Sequence, residues 1–568
     1  MGLPGFFGWL LKQCKRNFIL FDQINVPIQE FYIDLNCLIH PSCSKILKCS
    51  KGIPLEKLEE MMIQQCVNDL NELIRYVNPT EKIYIAVDGV APMAKINQQR
   101  KRRYKSYEET QRKKIIYEEH HEYLNDTWTN ASITPGTKFM EMLHNKLLDY
   151  VKTFKYPNKI VYSSYHTCGE GEHKIFEDIR NNSKIADEKV RVVYGLDADL
   201  FFLSMACQNL CKCKNIFLIR ESNEISKTNN TTEYTYVSIT NVMHCFEEIL
   251  NTRIHQIMYE YGLDKKVDVN DNIYDIIFIC YMLGNDFIPH IPTIDIKRNG
   301  LEMLIDAYAH AFVKYLVPII QLTNTRVNIN MLFLEEMITH LSQYETEWIQ
   351  NCSDKNGITK RNFNNDLEKS LWELENLEID GFKDVYQKHI GTLEDWKYRY
   401  YKNTFNCSEN HDMIVNEMCR EYLDGLYWVS SYYFSNCQSW TWMYNYTNAP
   451  FLSDLKKFIK NYHYNLNVVE FQRDEALKPL TQLLCVIPRQ YCFLLPNNYR
   501  RLMISDNSPI SYMFPEKFET DAYNKDVYWQ CIPKLPCVNI ERINNEVNKI
   551  QNDEFERKIN ASQNDYVI

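Results

Sequence analysis

The chain contains no run of about 18 consecutive apolar residues, so no membrane-spanning helix is expected. It has no excess of positive charge: the formal net charge is -10 over 568 residues. A nucleic-acid partner would therefore require basic residues gathered locally. None of the 19 cysteines falls into a Cys-x-x-Cys pair. The tightest pair, Cys211-Lys-Cys213, has the wrong spacing for a usual zinc site, and Cys37, Cys43 and Cys49 are evenly spaced. Most cysteines read as reduced core or surface thiols. The apolar opening through Leu11 lacks a basic leader and a small-residue cleavage site, so no secretion signal is expected. Phe6 does not fit the myristoylation pattern. There is no internal repeat.

What is present is a globular composition, 45% hydrophobic and 24% charged, long enough for a large core and more than one domain. Residues 1–300 alternate strand-like runs with helical stretches and predict an α/β fold with a mostly parallel twisted sheet flanked by helices. The periodicity predicts a helix over Leu55–Tyr76, a strand at Lys82–Val87, and a helix over Lys138–Val151 introduced by Thr134-Pro-Gly-Thr137. It also predicts a short strand at Val190–Tyr194 and a buried helix over Ile273–Leu283, apolar apart from Asp275. Residues 301–392 read as a mostly helical connector. Residues 393–540 form a second region crowded with aromatics, including Ser439-Trp-Thr-Trp-Met-Tyr444. Residues 541–568 read as a charged tail, an exposed helix or a frayed end.

Seven acids sit at or just after the ends of apolar segments: Asp34, Asp88, Glu170, Glu172, Asp197, Asp199 and Asp286. Singly, each could be a turn residue or a helix cap. Together they predict convergence at the carboxyl ends of parallel strands, where α/β sheets bind ligands. Carboxylates so gathered repel unless cations neutralise them. Hard divalent cations take oxygen ligands, and a pair can clamp both oxygens of a phosphoryl displacement. The pattern points to metal-dependent phosphodiester hydrolysis.

Seven residues after Asp88 begins a basic stretch. Its Lys95, Gln99, Arg102 and Arg103 share one helical face, which suits a phosphate. His40 ends the first acidic motif. Trp440 and Trp442 are candidates for stacking on bases, which tolerates any sequence, although at least one is expected in the core.

These motifs resemble the Xrn family of 5′-to-3′ exoribonucleases. The matching stretches are Tyr32-Ile-Asp-Leu-Asn-Cys-Leu-Ile-His40, Val87-Asp-Gly-Val-Ala-Pro-Met-Ala-Lys-Ile-Asn-Gln-Gln-Arg100, Ile133-Thr-Pro-Gly-Thr137, Gly169-Glu-Gly-Glu-His-Lys174, Tyr194-Gly-Leu-Asp-Ala-Asp-Leu200 and Leu283-Gly-Asn-Asp-Phe-Ile-Pro-His290. The opening nine residues, Ser439-Trp-Thr-Trp442, Ala449-Pro-Phe-Leu-Ser-Asp454 and Leu494-Leu-Pro496 add to the likeness. The resemblance implies a core like those of PIN and flap nucleases, with the second region covering the active site. It implies processive hydrolysis of single-stranded RNA carrying a 5′-monophosphate, releasing mononucleotides, with two Mg²⁺ ions or Mn²⁺ in their place. The seven acids match its metal ligands and catalytic residues. Lys95, Gln99, Arg102 and Arg103 match its 5′-phosphate pocket. His40 matches its base-stacking residue, with Trp440 favoured over Trp442 as partner.

A monomer in the cytoplasm or nucleus, acting in RNA turnover, is expected. The Asn-, Ile- and Tyr-rich composition suits an AT-rich genome such as that of a large DNA virus, or a protist; a virus would place it in the viral factory. The family's long C-terminal domains and zinc knuckle are not visible. Met93 replaces a usual Arg and is expected to be tolerated, and Cys207–Asn215 departs from the pattern and reads as a variable loop. Two other readings compete. A flap-type DNA nuclease would share the acidic crevice but not the motif order or the aromatic second region. An inactive RNA-binding scaffold would not need all seven acids.

Overall fold

The computed structural model describes residues 5–50, 52–124, 127–154, 159–184, 187–195, 197–221, 234–263, 272–323, 326–348, 361–379, 396–405, 411–522, 525 and 527–568. Five short apolar runs form parallel strands: β2 (Glu30–Asp34), β3 (Lys82–Ala86), β4 (Lys159–Ser163), β5 (Arg191–Tyr194) and β6 (Ile216–Glu221). Antiparallel strands extend this sheet at both edges. β7 (Tyr234–Ser238) pairs with β6, β1 (Leu20–Phe21) with β7, and β12 (Tyr566–Val567) with β4. The resulting order is β1-β7-β6-β5-β2-β3-β4-β12.

Side chains alternate between faces with a period of two. Phe31, Ile33, Ile83 and Ile85 point into one core, with α3 (Asn36–Cys49), α4 (Leu55–Val77) and α6 (Lys138–Thr153). Tyr32, Tyr84 and Val193 point into the other. There they meet α1 (Phe6–Gln13), α2 (Arg16–Ile19), α7 (Gly171–Asn182), α8 (Asp199–Cys211) and the helix Ile239–Glu260. Burial on both faces is why these strands read as near-continuous apolar runs. The remaining helix here, α5 (Met93–Glu119), packs its start against the second region.

The expected boundaries move by a residue or two at most. α4 ends at Asn78, whose φ of 49° turns the chain left-handed. Thr137 caps α6 by accepting from the Met140 N–H. Ile273–Cys280 is a buried helix, tightening at Tyr281–Leu283 before Gly284. Gly284 has φ 86°, and a Cβ there would lie 2.7 Å from the His290 nitrogen. Glycine is therefore needed to aim Asn285-Asp286.

Two expectations are corrected. Cys207–Asn215 is not simply a loop, because α8 continues to Cys211 and Cys213 is buried. The apolar character of Phe201–Met205 carries the helix onward against the sheet. Residues 541–568 are not a frayed end. Ile543, Val547 and Ile559 are buried, and β12 adds to the sheet edge beside β4. Asp565 accepts hydrogen bonds from Tyr84 and Thr167, which anchors the segment against the nuclease core.

The connector holds the helices Gly300–Tyr315, Met331–Ser342 and Asp366–Glu375, with a hairpin of β8 (Ile320–Thr323) and β9 (Arg326–Ile329) between the first two. Among its described residues the aromatic region is mainly helical, with one small antiparallel pair, β10 (Glu519–Asp521) and β11 (Ile532–Lys534). Its helix His411–Phe434 is buried from Tyr422 onward and shares the core that carries α7 and α8. The N-terminal turns of α5 pack on Leu480, Leu483 and Leu484.

Candidate active site

The sheet order reverses around β2, so the carboxyl ends of β2, β3 and β5 open one crevice. Asp34 is the last residue of β2 and accepts from the Asn36 N–H at 3.2 Å and from Cys37 Sγ at 3.1 Å. Asp88 lies just past β3. Asn36 grips it twice, with Nδ2 donating to Oδ2 at 2.8 Å and Oδ1 accepting from the Asp88 N–H at 3.1 Å. The Gly171 N–H donates to Asp88 Oδ1 at 2.6 Å. A Cβ on Gly171 would come within 2.9 Å of Asp34 Oδ1 and 3.3 Å of Asp88 Oδ1, filling the space between the two acids. Glu170 and Glu172 bracket the start of α7, and Asp199 starts α8, where helix dipoles favour negative charge.

Lys95 is the cation within this group. Its Nζ lies 2.5 Å from Glu170 Oε1 and 2.7 Å from Asp286 Oδ2. Burial works against its charge, but Asp286, Glu170, Glu172 and Asp199 outweigh that and hold its pKa well above the ordinary value. Burial alone would raise Asp286, and Lys95 reverses this to hold it below the carboxylate range.

At Glu170, Glu172 and Asp199 burial and mutual repulsion outweigh what Lys95 compensates. Burial, then Asp88, pushes Asp34 up to about 8. Burial, then Asp286, pushes Asp199 up to about 7. Glu172 is raised well above its usual value by burial and by Asp199, Glu170 and Asp197. Burial also leaves Glu170 raised despite Lys95. All seven predicted acids thus act on one another in a single crevice. Seven carboxyl groups outnumber the cations that act on them among the described residues, chiefly Lys95, with Arg102 on Asp286 and Lys174 on Asp88, and this oxygen-rich set fits hard divalent cations.

The predicted phosphate residues lie on the first three turns of α5. Gln99 and Arg103 are buried, and Gln99 Oε1 and Arg103 Nε have no hydrogen-bond partner among the described residues. Arg103 donates to the Ile133 carbonyl at 3.3 Å, and burial with neighbouring Arg102 lowers it to about 9. Arg102 borders a cavity of about 200 Å³, together with Lys101, Lys105 and Asp286. His40, on α3, keeps an exposed edge within dense surroundings. Those surroundings, then Arg102 and Arg103, push its imidazole down to about 4.

The two tryptophans differ. Trp442 stacks on Trp428 at 5.2 Å and meets Phe471 edge-on. No aromatic ring packs on Trp440 among the described residues. Its backbone is fixed by an N–H donated to Asp474 and by a carbonyl accepting from the Met93 N–H at 2.7 Å. Trp440 therefore stands at the first turn of α5 and His40 beside its third.

Four supporting residues were not singled out from the sequence. Asn36, His173 and Lys174 lay inside quoted motifs, and adjacency to the acids was their signal. Lys174 Nζ donates to the Val87 and Ser164 carbonyls, both at 2.8 Å, tying the β3 and β4 loops together. His173 stacks on Tyr432 at 3.8 Å, and ligand atoms of Glu170, Glu172 and His173 lie within 4.8 Å of one another. Tyr432, which donates to Glu170 Oε2 at 3.2 Å, gave no local signal.

The chain matches known proteins over nearly its whole length. Residues 1–222 match the family model described as XRN 5′-3′ exonuclease N-terminus. Residues 266–389 and 389–568 match that of the Xrn1 helical domain. Human 5′-3′ exoribonuclease 1 is 28% identical over 96% of this chain and 34% of its own length. The Schizosaccharomyces pombe 5′-3′ exoribonuclease 1 is 26% identical over 96% of the chain and 48% of its own. Arabidopsis thaliana 5′-3′ exoribonuclease 2 is 26% identical over 96% of the chain and 66% of its own. The chain thus spans between a third and two thirds of these relatives. With both family models matched in order and the acidic crevice assembled between them, the chain belongs to the Xrn 5′-3′ exonuclease family.

Proposed function

We propose that the protein is a processive 5′-to-3′ exoribonuclease. It hydrolyses single-stranded RNA bearing a 5′-monophosphate, releases mononucleotides and serves RNA turnover. The observation that carries this reading is the crevice of seven carboxyl groups, five of them buried, in which the Lys95 ammonium makes ion pairs with Glu170 and Asp286 while burial and mutual repulsion still raise Asp34 and Glu172. Two Mg²⁺ ions, or Mn²⁺, held by Asp34, Asp88, Glu170, Glu172, Asp197, Asp199 and Asp286 would supply a lowered water pKa and charge stabilisation at the scissile phosphate.

The chain's own groups do the rest. Asn36 and the Gly171 N–H hold Asp88 in place, and Lys174 fixes the loops that carry Asp88 and Glu170. Lys95, Gln99, Arg102 and Arg103 offer donors to a terminal phosphate, where the orphaned Nε–H of Arg103 gains an acceptor. His40 and Trp440, standing at different turns of α5, bracket the path of a strand and hold its bases by stacking without reading them.

The 1–300 unit then acts as the nuclease core, and 393–540 as the region that covers it. No helix among the described residues is long and apolar enough to cross a membrane. As part of the same proposal the protein acts as a monomer, in the cytoplasm or the nucleus. The test is to incubate the protein and Mg²⁺ with matched RNAs carrying a 5′-monophosphate, hydroxyl, triphosphate or cap, and with matched DNA. Rapid loss of the monophosphate RNA alone is expected. Equal loss of capped RNA from its 5′ end, or preference for DNA, overturns the reading.

A further inference from the structure

A second cluster of ligating side chains shares no residue with the acidic crevice. Asp306 and His310 lie one turn apart on the helix Gly300–Tyr315, and His340 faces them from the helix Met331–Ser342. His340 Nε2 lies 3.1 Å and His310 Nε2 3.9 Å from the same oxygen, Asp306 Oδ2. The two imidazoles stack at 4.4 Å with an interplanar angle of 28°. One ligand atom from each of the three residues lies within 4.8 Å of the others.

Each end of the cluster is held from behind. Arg253 Nε donates to the other Asp306 oxygen at 2.6 Å. Tyr261 Oη lies 3.3 Å from His310 Nδ1, the nitrogen facing away from Asp306. An outer partner on the distal imidazole nitrogen is what a metal-ligating histidine usually has, because it sets the tautomer that leaves Nε2 free to bind.

A hydrogen-bonded brace accounts for only part of this. His340 donating to Asp306 is such a brace. His310 Nε2, at 3.9 Å, is too far from Asp306 for a hydrogen bond. Stacking on His340 and the contact with Tyr261 hold the ring there, with Nε2 turned toward the space it shares with Asp306 and His340. In a tetrahedral Zn²⁺ site with bonds of about 2.0–2.1 Å, neighbouring ligand atoms lie roughly 3.4 Å apart. The observed 3.1 and 3.9 Å lie either side of that separation. The three side chains are about one-fifth exposed, which leaves room for water at the fourth position.

We propose that Asp306, His310 and His340 form a second metal site, for a borderline divalent transition metal such as Zn²⁺. Its nitrogen donors set it apart from the oxygen-rich crevice. Bound metal would tie the two connector helices to each other and, through Arg253, to the helix Ile239–Glu260. The proposal stands whether or not the nuclease reading holds.

The test uses the full chain, stripped of metal and titrated with Co²⁺ in excess Mg²⁺, which occupies oxygen sites. The parent is expected to bind one equivalent with the visible absorption of tetrahedral, nitrogen-ligated Co²⁺, and Zn²⁺ should displace it. His310→Ala and His340→Ala should each lose that signal. Tyr261→Phe should weaken binding by about 10–100-fold, the usual effect of losing an outer partner. Circular dichroism without metal shows whether each variant is folded; if either histidine variant is not, the exposed Tyr261 carries the comparison. Absence of the tetrahedral signal in the parent overturns the proposal. So does an unchanged signal in a folded His310→Ala protein, or equal affinity in Tyr261→Phe.

Discussion

Lys95 and Asp286, drawn from distant parts of the chain, meet as a buried ion pair with Nζ 2.7 Å from Oδ2. The same ammonium also holds Glu170. Removing one partner of a buried pair typically costs about 3–5 kcal/mol. Lys95→Met should therefore lower the melting temperature strongly in chelator. It should lower it less in Mg²⁺, because divalent cations replace the lost charge. An equal drop in both conditions would show that Lys95 does not neutralise the acids.

Asp197→Ala and Asp199→Ala should each cut turnover by at least about a hundredfold, the scale typical of removing one preorganised electrostatic group. RNA binding should persist, because the donors of α5 remain. The measurement is single-turnover hydrolysis beside equilibrium binding at saturating Mg²⁺. Near-normal rates in either variant contradict the role given to this pair.

Arg102→Ala should erase the preference for a 5′-monophosphate over a 5′-hydroxyl. A hydrogen bond to a charged group contributes about 1.5–3 kcal/mol, so the selectivity ratio should fall roughly ten- to a hundredfold. Competition between the two RNAs in one reaction reads that ratio directly. An unchanged ratio moves the phosphate site elsewhere.

His40→Ala should shorten the run of nucleotides removed per encounter more than it slows the first cut, while His40→Phe should keep the run length. The folded His40 pKa, about 4, lies below the ordinary 6.5. Between those values the unfolded chain binds the extra proton, so the stability from neutral His40 is present above about 6.5 and lost as pH falls toward 4. The ring is thus neutral at working pH, and the pH–rate profile of His40→Phe should overlay the parent above pH 6. A lost limb in that profile would mark His40 as a proton carrier instead.

Asp275, the one charged residue in Ile273–Cys280, accepts from Tyr308 Oη at 2.7 Å and from the Ile319 and Ile320 N–H groups at 3.0 and 2.9 Å. Asp275→Ala would leave these donors buried without an acceptor, at about 1–3 kcal/mol each. A marked fall in melting temperature with unchanged activity at low temperature is expected. A stability equal to that of the parent would show that water reaches these groups.

By itself the sequence determined the parallel sheet, because strands buried on both faces must be apolar throughout and their runs stand out. It also marked the acids, since Asp34, Asp88, Asp197 and Asp199 follow such strands closely, whereas Glu170 and Glu172 start a helix and Asp286 follows one; and it placed Lys95, Gln99, Arg102 and Arg103 on one helical face by spacing alone. Local pattern could not decide relations between distant segments. The edge strand Tyr566–Val567 is two residues long, too short for any periodicity, and exists only because β4 offers an open edge. The difference between Trp440 and Trp442 came from Trp428 and Phe471 occupying one ring and not the other. Tyr432 reaches Glu170, and Lys95 joins Glu170 to Asp286, only through packing of the second region and the helices on the nuclease core. Burial then sets the charge balance of the crevice: Asp34 and Asp199 are ordinary acids in the sequence, and desolvation together in the fold is what raises them.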